Sequence, residues 1–414
     1  MELVAPAGNV DKLEYAWEYG ADAAYIGLKR FSLRVKADNF HGEEHERIAC
    51  LKRDYALAGR PKRLFCALNI SFHDSDIEGF MREIDYFRKY PIDAFIIQDM
   101  GMVRMLQREF PGAALHLSTQ ANCINSDAVR LYRDLGFRRV VLGREASLAD
   151  IETIKKAVPD MQIECFAHGA MCIAYSGRCL MSSYLTGRSA NQGDCSHTCR
   201  WEYRYVEERS RPGEYFPVIE GEEFTTIFSS KDLCMIEHLD RMRDAGVDSI
   251  KIEGRMKSLY YTAIVSRAYR KGIDALEGKL SPEDARPYID ELDKVSHREF
   301  STGFFFSRAD ADKTTSRESS APFLLAGTIG KRIEGAEHDW EFISMNKIVA
   351  GEPLDFLGPD ALPVTDSSYG LYDPESGARR EWVSHGHPCV IRTRVPLRER
   401  FIVRARDPDY SSVK

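Results

Sequence analysis

The 414-residue chain has no stretch approaching about 18 uninterrupted apolar residues, so no membrane-spanning helix is expected. Its first residues, Met1 to Gly8, lack a basic leader followed by an apolar run. Both absences point to a soluble, cytoplasmic protein whose ten cysteines stay reduced. No G-x-G-x-x-G follows a strand-like run, which removes the usual dinucleotide site. The chain also lacks H-E-x-x-H and G-x-S-x-G, the signatures of common zinc peptidases and serine hydrolases. No Cys-x-x-Cys knuckle occurs, as a zinc ribbon normally brings. A net charge of −7 argues against indiscriminate nucleic-acid binding while leaving room for a local basic face.

What is present is a globular composition, 43% hydrophobic and 29% charged, in a chain long enough for one large domain and a small one. Short apolar runs alternate with amphipathic segments through the first 255 residues. The expected strands are Glu2–Ala5, Ala23–Leu28, Leu64–Ile70, Ala94–Gln98, Ala114–Ser118, Arg139–Leu142, Ile163–Ala167 and Ser249–Glu253. Each is rich in Val, Ile, Leu or Phe, as strands buried on both faces should be. In the first helical segment Asn9 caps, Leu13, Ala16 and Trp17 share a face, and Gly20 closes. Eight strand–helix units predict an α/β fold, a (β/α)8 TIM-like barrel, with a doubly wound open sheet as the alternative. In a barrel the strand C-termini form the active-site rim. Those ends carry Pro6 to Gly8, Asn69, Gln98-Asp99, Ser118 to Asn122, Gly143-Arg144-Glu145, His168-Gly169 and Glu253-Gly254-Arg255, nearly all polar or glycine.

The predicted barrel domain spans 1–306, with a cysteine-rich insertion after strand seven at about 169–234 and trailing helices over 255–305. Glu207–Glu223, with Pro212-Gly213 and alternating apolar residues, is expected to form a hairpin. A polar linker follows at 307–320, mobile over Ala309–Ser320. Alternation and turn signals then predict a small all-β, barrel-like domain at 321–414.

Cys172, Cys179, Cys195, Cys199 and Cys234 stand among Gly, Ser, Arg and Asp rather than in apolar runs, which marks them as metal-ligand candidates. Cys172 and Cys179 would lie roughly 10 Å apart on a straight helix, but Gly177 between them permits a bend. Thiolates gathered this widely serve zinc or an iron–sulfur cluster, and dispersed single ligands suit the broader 4Fe–4S cluster better. Buried free thiols acting as small apolar groups are the plain alternative. Cys50, Cys66, Cys123, Cys165 and Cys389 lie in strand- or helix-like surroundings and are assigned to packing.

The stretch Glu164-x-Phe-x-His-Gly-Ala-x-Cys172, with Gly177-x-Cys179-x-x-Ser182, resembles the signature of the U32 peptidase family. Arg188 to Trp201, Ser230 to Cys234, Ser249 to Lys257, Phe31 to Arg34, Ala37 to Phe40 and Ser296 to Gly303 extend the likeness across the barrel and the helices after it. The resemblance is greatest to the branch that makes 5-hydroxyuridine at the wobble position of tRNA. It implies a 4Fe–4S cluster, prephenate as hydroxyl source, and Cys172, Cys179, Cys195 and Cys234 as ligands, with Cys199 set aside. Relatives often have Gln-Pro between the cysteines of the Cys-x-x-x-Cys pair, where this chain has Ser196-His197-Thr198.

A dicarboxylate such as prephenate calls for planar, bidentate cations. Arg255 and Lys251 flank strand eight, Arg34 follows strand two and Arg178 sits in the cysteine loop; Asn39, Gln120 and Asn122 complete the expected substrate set. His168 and Glu253 are the candidates for moving a proton. Arg200, Trp201, Arg204, Arg392, Arg394 and Arg404 are candidate RNA contacts, by basic–aromatic clustering or by strand alternation. Other arginines of the last domain, Arg398, Arg400 and Arg406, share that alternation, with a solvated strand face as the plain account. His41-Gly-Glu-Glu44-His45 formally matches H-x-x-E-H, although a charged helix start explains it more simply. The expected activity is therefore prephenate-dependent, oxygen-independent tRNA hydroxylation. A collagenase-like peptidase is the first alternative and a non-catalytic RNA-binding protein with structural zinc the second.

Overall fold

In the computed structural model, residues 1–28, 31–33, 40, 42–172, 176, 178–179, 181–190, 194–200, 219–220, 225–226, 230–307, 321–408 and 410 are described. Eight strands form the expected barrel: β1 (Glu2–Pro6), β2 (Ala23–Ile26), β3 (Arg63–Leu68), β4 (Ala94–Ile97), β5 (Ala114–Leu117), β6 (Phe137–Val141), β7 (Gln162–Ala170) and β8 (Ser249–Ile252). Each runs parallel to its neighbour in sequence, and β8 pairs with both β7 and β1, which closes the sheet. The open-sheet alternative is thereby removed. Leu3, Val4, Ala5, Leu64, Ile97, Val140, Ile163, Ile250 and Ile252 are fully buried or nearly so, as strands covered on both faces require.

Helices alternate with these strands, and their ends follow local chemistry. Asn9 Oδ1 accepts from the Lys12 backbone N–H at 2.9 Å, capping helix Val10–Glu18. Helix Leu148–Ala157 opens with a reciprocal box, Ser147 Oγ accepting from Asp150 N and Asp150 Oδ2 from Ser147 N. Gly8 allows the turn after β1 to approach the end of β8, since a Cβ there would stand 2.4 Å from the Arg255 carbonyl oxygen.

A short strand, Asp232–Cys234, runs antiparallel to the end of β7 and places Cys234 opposite His168. Arg298 anchors it, donating to Asp232 Oδ1 from Nη2 at 2.6 Å and from Nε at 3.0 Å. Of the expected hairpin Glu207–Glu223, only Ile219–Glu220 is described, paired antiparallel with Thr225–Thr226. The linker, apart from residue 307, lies outside the described residues.

The chain divides into two compact units. The first holds residues 1–17, 21–257 and 298–318, and so contains the barrel strands. The second holds 18–20, 258–297 and 319–414. Helices Leu259–Leu276 and Pro282–Ile289, expected as the tail of the barrel domain, thus group with the C-terminal sheet. That sheet has eight strands, all paired antiparallel, with Phe323–Arg332 and Ile402–Arg406 near its centre. Its core is Ala326, Ile329, Phe342, Leu354, Phe356, Leu371, Ile391 and Val403. Among the described residues no helix is long and apolar enough to cross a membrane.

Candidate functional site

A cavity of about 290 Å3 opens where the barrel strands end. Its wall includes Asn69 after β3, Ser118 to Gln120 after β5, Arg144 after β6, Ala170 to Cys172 at the end of β7, and Glu253 to Lys257 after β8. Tyr25 and Phe166 add two aromatic faces from within the barrel. The rim expected from strand ends is therefore the rim of a real hollow.

Its cations are held by a charged layer inside the barrel. Lys251 Nζ donates to Glu164 Oε1 at 2.9 Å and lies 4.4 Å from the centre of the Tyr25 ring. Arg139 Nη1 donates to Glu164 Oε2 at 2.7 Å, and Arg139 also pairs with Glu2. Burial pushes the Glu164 carboxyl upward, but Lys251 and Arg139 outweigh it and hold it at about 2. Beside them, burial together with Arg139 keeps the His116 imidazole well below its ordinary 6.5. Glu164 is thus a fixed anion that aims Lys251, whose ammonium borders the cavity.

Arg144 and Glu253 face each other across the rim at 4.0 Å, and the Arg144 guanidinium lies 4.1 Å from the Phe166 ring centre. Arg255 is buried, with Nη2 donating to Ser32 Oγ at 3.0 Å. Three cations and two aromatic rings around one hollow suit an anionic ligand that carries an apolar ring.

Four of the five clustered cysteines, Cys172, Cys179, Cys195 and Cys199, line this same cavity. All ten cysteines are free thiols. Cys195 Sγ accepts from the His197 backbone N–H at 3.4 Å. Cys234, on its strand beside β7, is not part of the wall, whereas Cys199 is. As a donor set, soft and partly accessible thiols fit an iron–sulfur cluster. Among the described residues, however, no three His, Cys, Asp or Glu side chains are drawn together tightly enough to hold a metal ion.

The remaining expected residues divide. Gln120, Lys251, Glu253 and Arg255 line the cavity. His168 does not: its ring packs 5.4 Å from that of Phe300, and it is 1% exposed. The cause is a bulge, since Lys251 pairs with Phe166 but Ile252 pairs with His168, leaving Ala167 as an extra residue that resets the alternation. Asn122, in the left-handed region at φ 53°, and the exposed Arg178 also stand outside the wall. Arg34, Asn39, Trp201 and Arg204 lie outside the described residues, as does the side chain of Arg200. Arg144, Tyr25 and Phe166 were not singled out from sequence as ligand contacts. Arg144 carried a signal as a strand-end residue; the two aromatics looked like ordinary core.

Two further expectations need correction. Arg404 cannot meet RNA: it is 1% exposed, with Nε donating to Asp355 Oδ2 at 3.0 Å and Nη1 to the Tyr260 hydroxyl at 2.8 Å, and it pairs with Glu291. Arg392 is bound to Asp339 through two 2.6 Å bonds, while Arg394 is exposed. Cys50, assigned to packing, is exposed on helix Glu44–Leu57, its sulfur 3.7 Å from Asp54 Oδ2. Cys66, by contrast, is buried, and burial pushes its thiol up to about 12 despite nearby Arg255. Of the H-x-x-E-H match, His41 lies outside the described residues, and Glu44 and His45 begin helix Glu44–Leu57, where Glu44 accepts from Gly42 N at 2.7 Å.

The sequence is similar to several known proteins. The tRNA hydroxylation protein P of Escherichia coli is 38% identical over 399 residues, covering 86% of this chain and 86% of that protein. The 23S rRNA 5-hydroxycytidine C2501 synthase of Escherichia coli is 33% identical over 364 residues, covering 86% of this chain and 52% of the synthase. A collagenase of Porphyromonas gingivalis is 32% identical over 319 residues, covering 74% of each. The family model described as Peptidase family U32 matches residues 8–315, and the chain belongs to that family.

Proposed function

We propose that this protein is an RNA hydroxylase acting on tRNA, converting a uridine C5–H at the wobble position to C5–OH without molecular oxygen. The observation that carries the reading is the sharing of one cavity by Cys172, Cys179, Cys195 and Cys199 with Lys251, Arg144 and Arg255. Two of the relatives are named for hydroxylating RNA, one on tRNA and one on rRNA, which supports RNA as the substrate class.

Cys172, Cys179, Cys195 and Cys234 would hold a 4Fe–4S cluster, with Cys199 the alternative to Cys234 because it borders the cavity. A cluster held by four thiolates would leave no iron open and would supply electron transfer. Prephenate releases its hydroxyl at the hydroxide level, together with CO2. The change from C5–H to C5–OH therefore leaves the C5 proton and two electrons, the electrons passing to an external acceptor. Substrate chemistry then falls to the side chains around it. Arg144, Lys251 and Arg255 bind the carboxylates of prephenate, the proposed hydroxyl source, while Tyr25 and Phe166 cover its ring. Glu253, at the rim and paired with Arg144, is placed to take or give a proton. The exposed Arg394 contributes to holding tRNA. A cytoplasmic location follows from that substrate.

The test is anaerobic incubation of cluster-reconstituted protein with an unmodified tRNA transcript, prephenate and an oxidised dye as electron acceptor, followed by nucleoside mass spectrometry. Uridine gaining one oxygen, only when prephenate is present, is the expected result. No oxidised nucleoside, with gelatin cleaved instead by cluster-free protein, would favour the peptidase reading.

A further inference from the structure

Ser176 lies between Cys172 and Cys179 in sequence and is 1% exposed. Its backbone N–H donates to Glu145 Oε1 at 2.7 Å, and its hydroxyl donates to the other oxygen of the same carboxylate. The Ser176 hydroxyl oxygen in turn accepts from the Arg144 backbone N–H at 3.2 Å. Ser176 has φ +32°, a backbone region that residues with a side chain avoid, so these bonds offset a real conformational cost. Gly143 leaves room for the contact: a Cβ there would stand 2.9 Å from Ile124 Cγ2 and 3.3 Å from Ser176 Oγ.

The geometry points to Glu145 as a positioning residue that, through Ser176, keeps Cys172 and Cys179 at the cavity wall. Glu145 touches neither thiol nor substrate in this role. Its carboxylate is suited to it because one residue presents two donors, and two oxygens on one rigid group accept both. A glutamine retains one acceptor and an alanine none, so the two substitutions should be graded. The backbone N–H of adjacent Arg144 bonds the same hydroxyl, which ties Ser176 to the loop that carries a cavity cation. The inference needs only the positions of these residues; its link to a cluster rests on the function proposed above.

The test uses the full-length chain, cluster-free and reduced, labelled with N-ethylmaleimide and followed by peptide mass spectrometry. Cys179, partly buried, is the reporter, and exposed Cys50 is the internal reference. E145A and S176A should raise the Cys179 rate relative to Cys50 about tenfold, the population change expected from losing a charge-assisted hydrogen bond. E145Q should fall between them and wild type. In parallel, iron and acid-labile sulfide per chain and the visible spectrum after anaerobic reconstitution should decline in the same order. Labelling at the wild-type rate in a variant whose circular dichroism and melting are unchanged overturns the inference. Should E145A fail to fold, S176A, which loses a single hydroxyl, decides by the same criterion. Faster labelling in the variants, with no cluster assembling even on wild type, upholds the latch and refutes the cluster.

Discussion

At the scale of single residues, Glu164 carries the charge balance of the barrel interior. It answers both Lys251 and Arg139 in a place water does not reach. Breaking such a pair leaves an uncompensated buried charge, so K251M should lower unfolding free energy by about 3 kcal/mol in urea titration. Adding E164Q should return much of that loss; a double variant no more stable than K251M contradicts the pairing. Acid stability separates two groups. His116 is held well below 6.5 in the folded chain, so the unfolded chain binds its proton first and stability falls as pH drops below about 6.5. Glu164, lowered from 4.5 to about 2, contributes stability above 4.5 that is lost as pH falls towards 2. H116Q should therefore flatten the stability profile between pH 6.5 and 4.5, while a fall due to Glu164 still sets in below 4.5. An unchanged slope across the upper window would assign it to other groups.

At the scale of elements, the eight strands were legible because burial on both faces forces near-continuous apolar runs, and observed ends fall within a few residues of expectation. The bulge at Ala167 was not, because β7 reads as an unbroken strand and only its pairing with β8 exposes the extra residue. That bulge turns His168 from a rim candidate into a core side chain. Cysteine spacing singled out five thiols, yet which of them face the cavity depends on contacts remote in sequence: Cys199 lines it and Cys234 does not. Gly8 links the turn after β1 to the Arg255 backbone. G8A should displace that segment and lower kcat/KM for hydroxylation by about 100-fold, as misplacement of a binding group by roughly 1 Å can. G112A, which has open space, should leave both activity and melting unchanged. Equal activity of G8A and wild type would remove Arg255 from the substrate site.

At the scale of the whole molecule, the two units ask different things of their arginines. In the second unit Arg404 is a structural cation, enclosed by Glu291, Asp355 and the Tyr260 hydroxyl. Strand alternation alone could not separate it from exposed Arg394, since a period of two identifies a face and not what covers it. R404M should destabilise this unit by about 3 kcal/mol in denaturant. R394E should leave stability unchanged while weakening tRNA binding and reducing its salt dependence. Affinity and salt slope identical to wild type would take Arg394 out of the RNA surface.

The central claim, that this chain hydroxylates tRNA uridine, is tested most directly by nucleoside mass spectrometry on total tRNA from a strain lacking its gene. Loss of 5-hydroxyuridine and the nucleosides derived from it, restored by the wild-type chain and not by a variant with Cys172 and Cys179 replaced by serine, is the predicted result. Unchanged levels of those nucleosides in the deletion strain would contradict it.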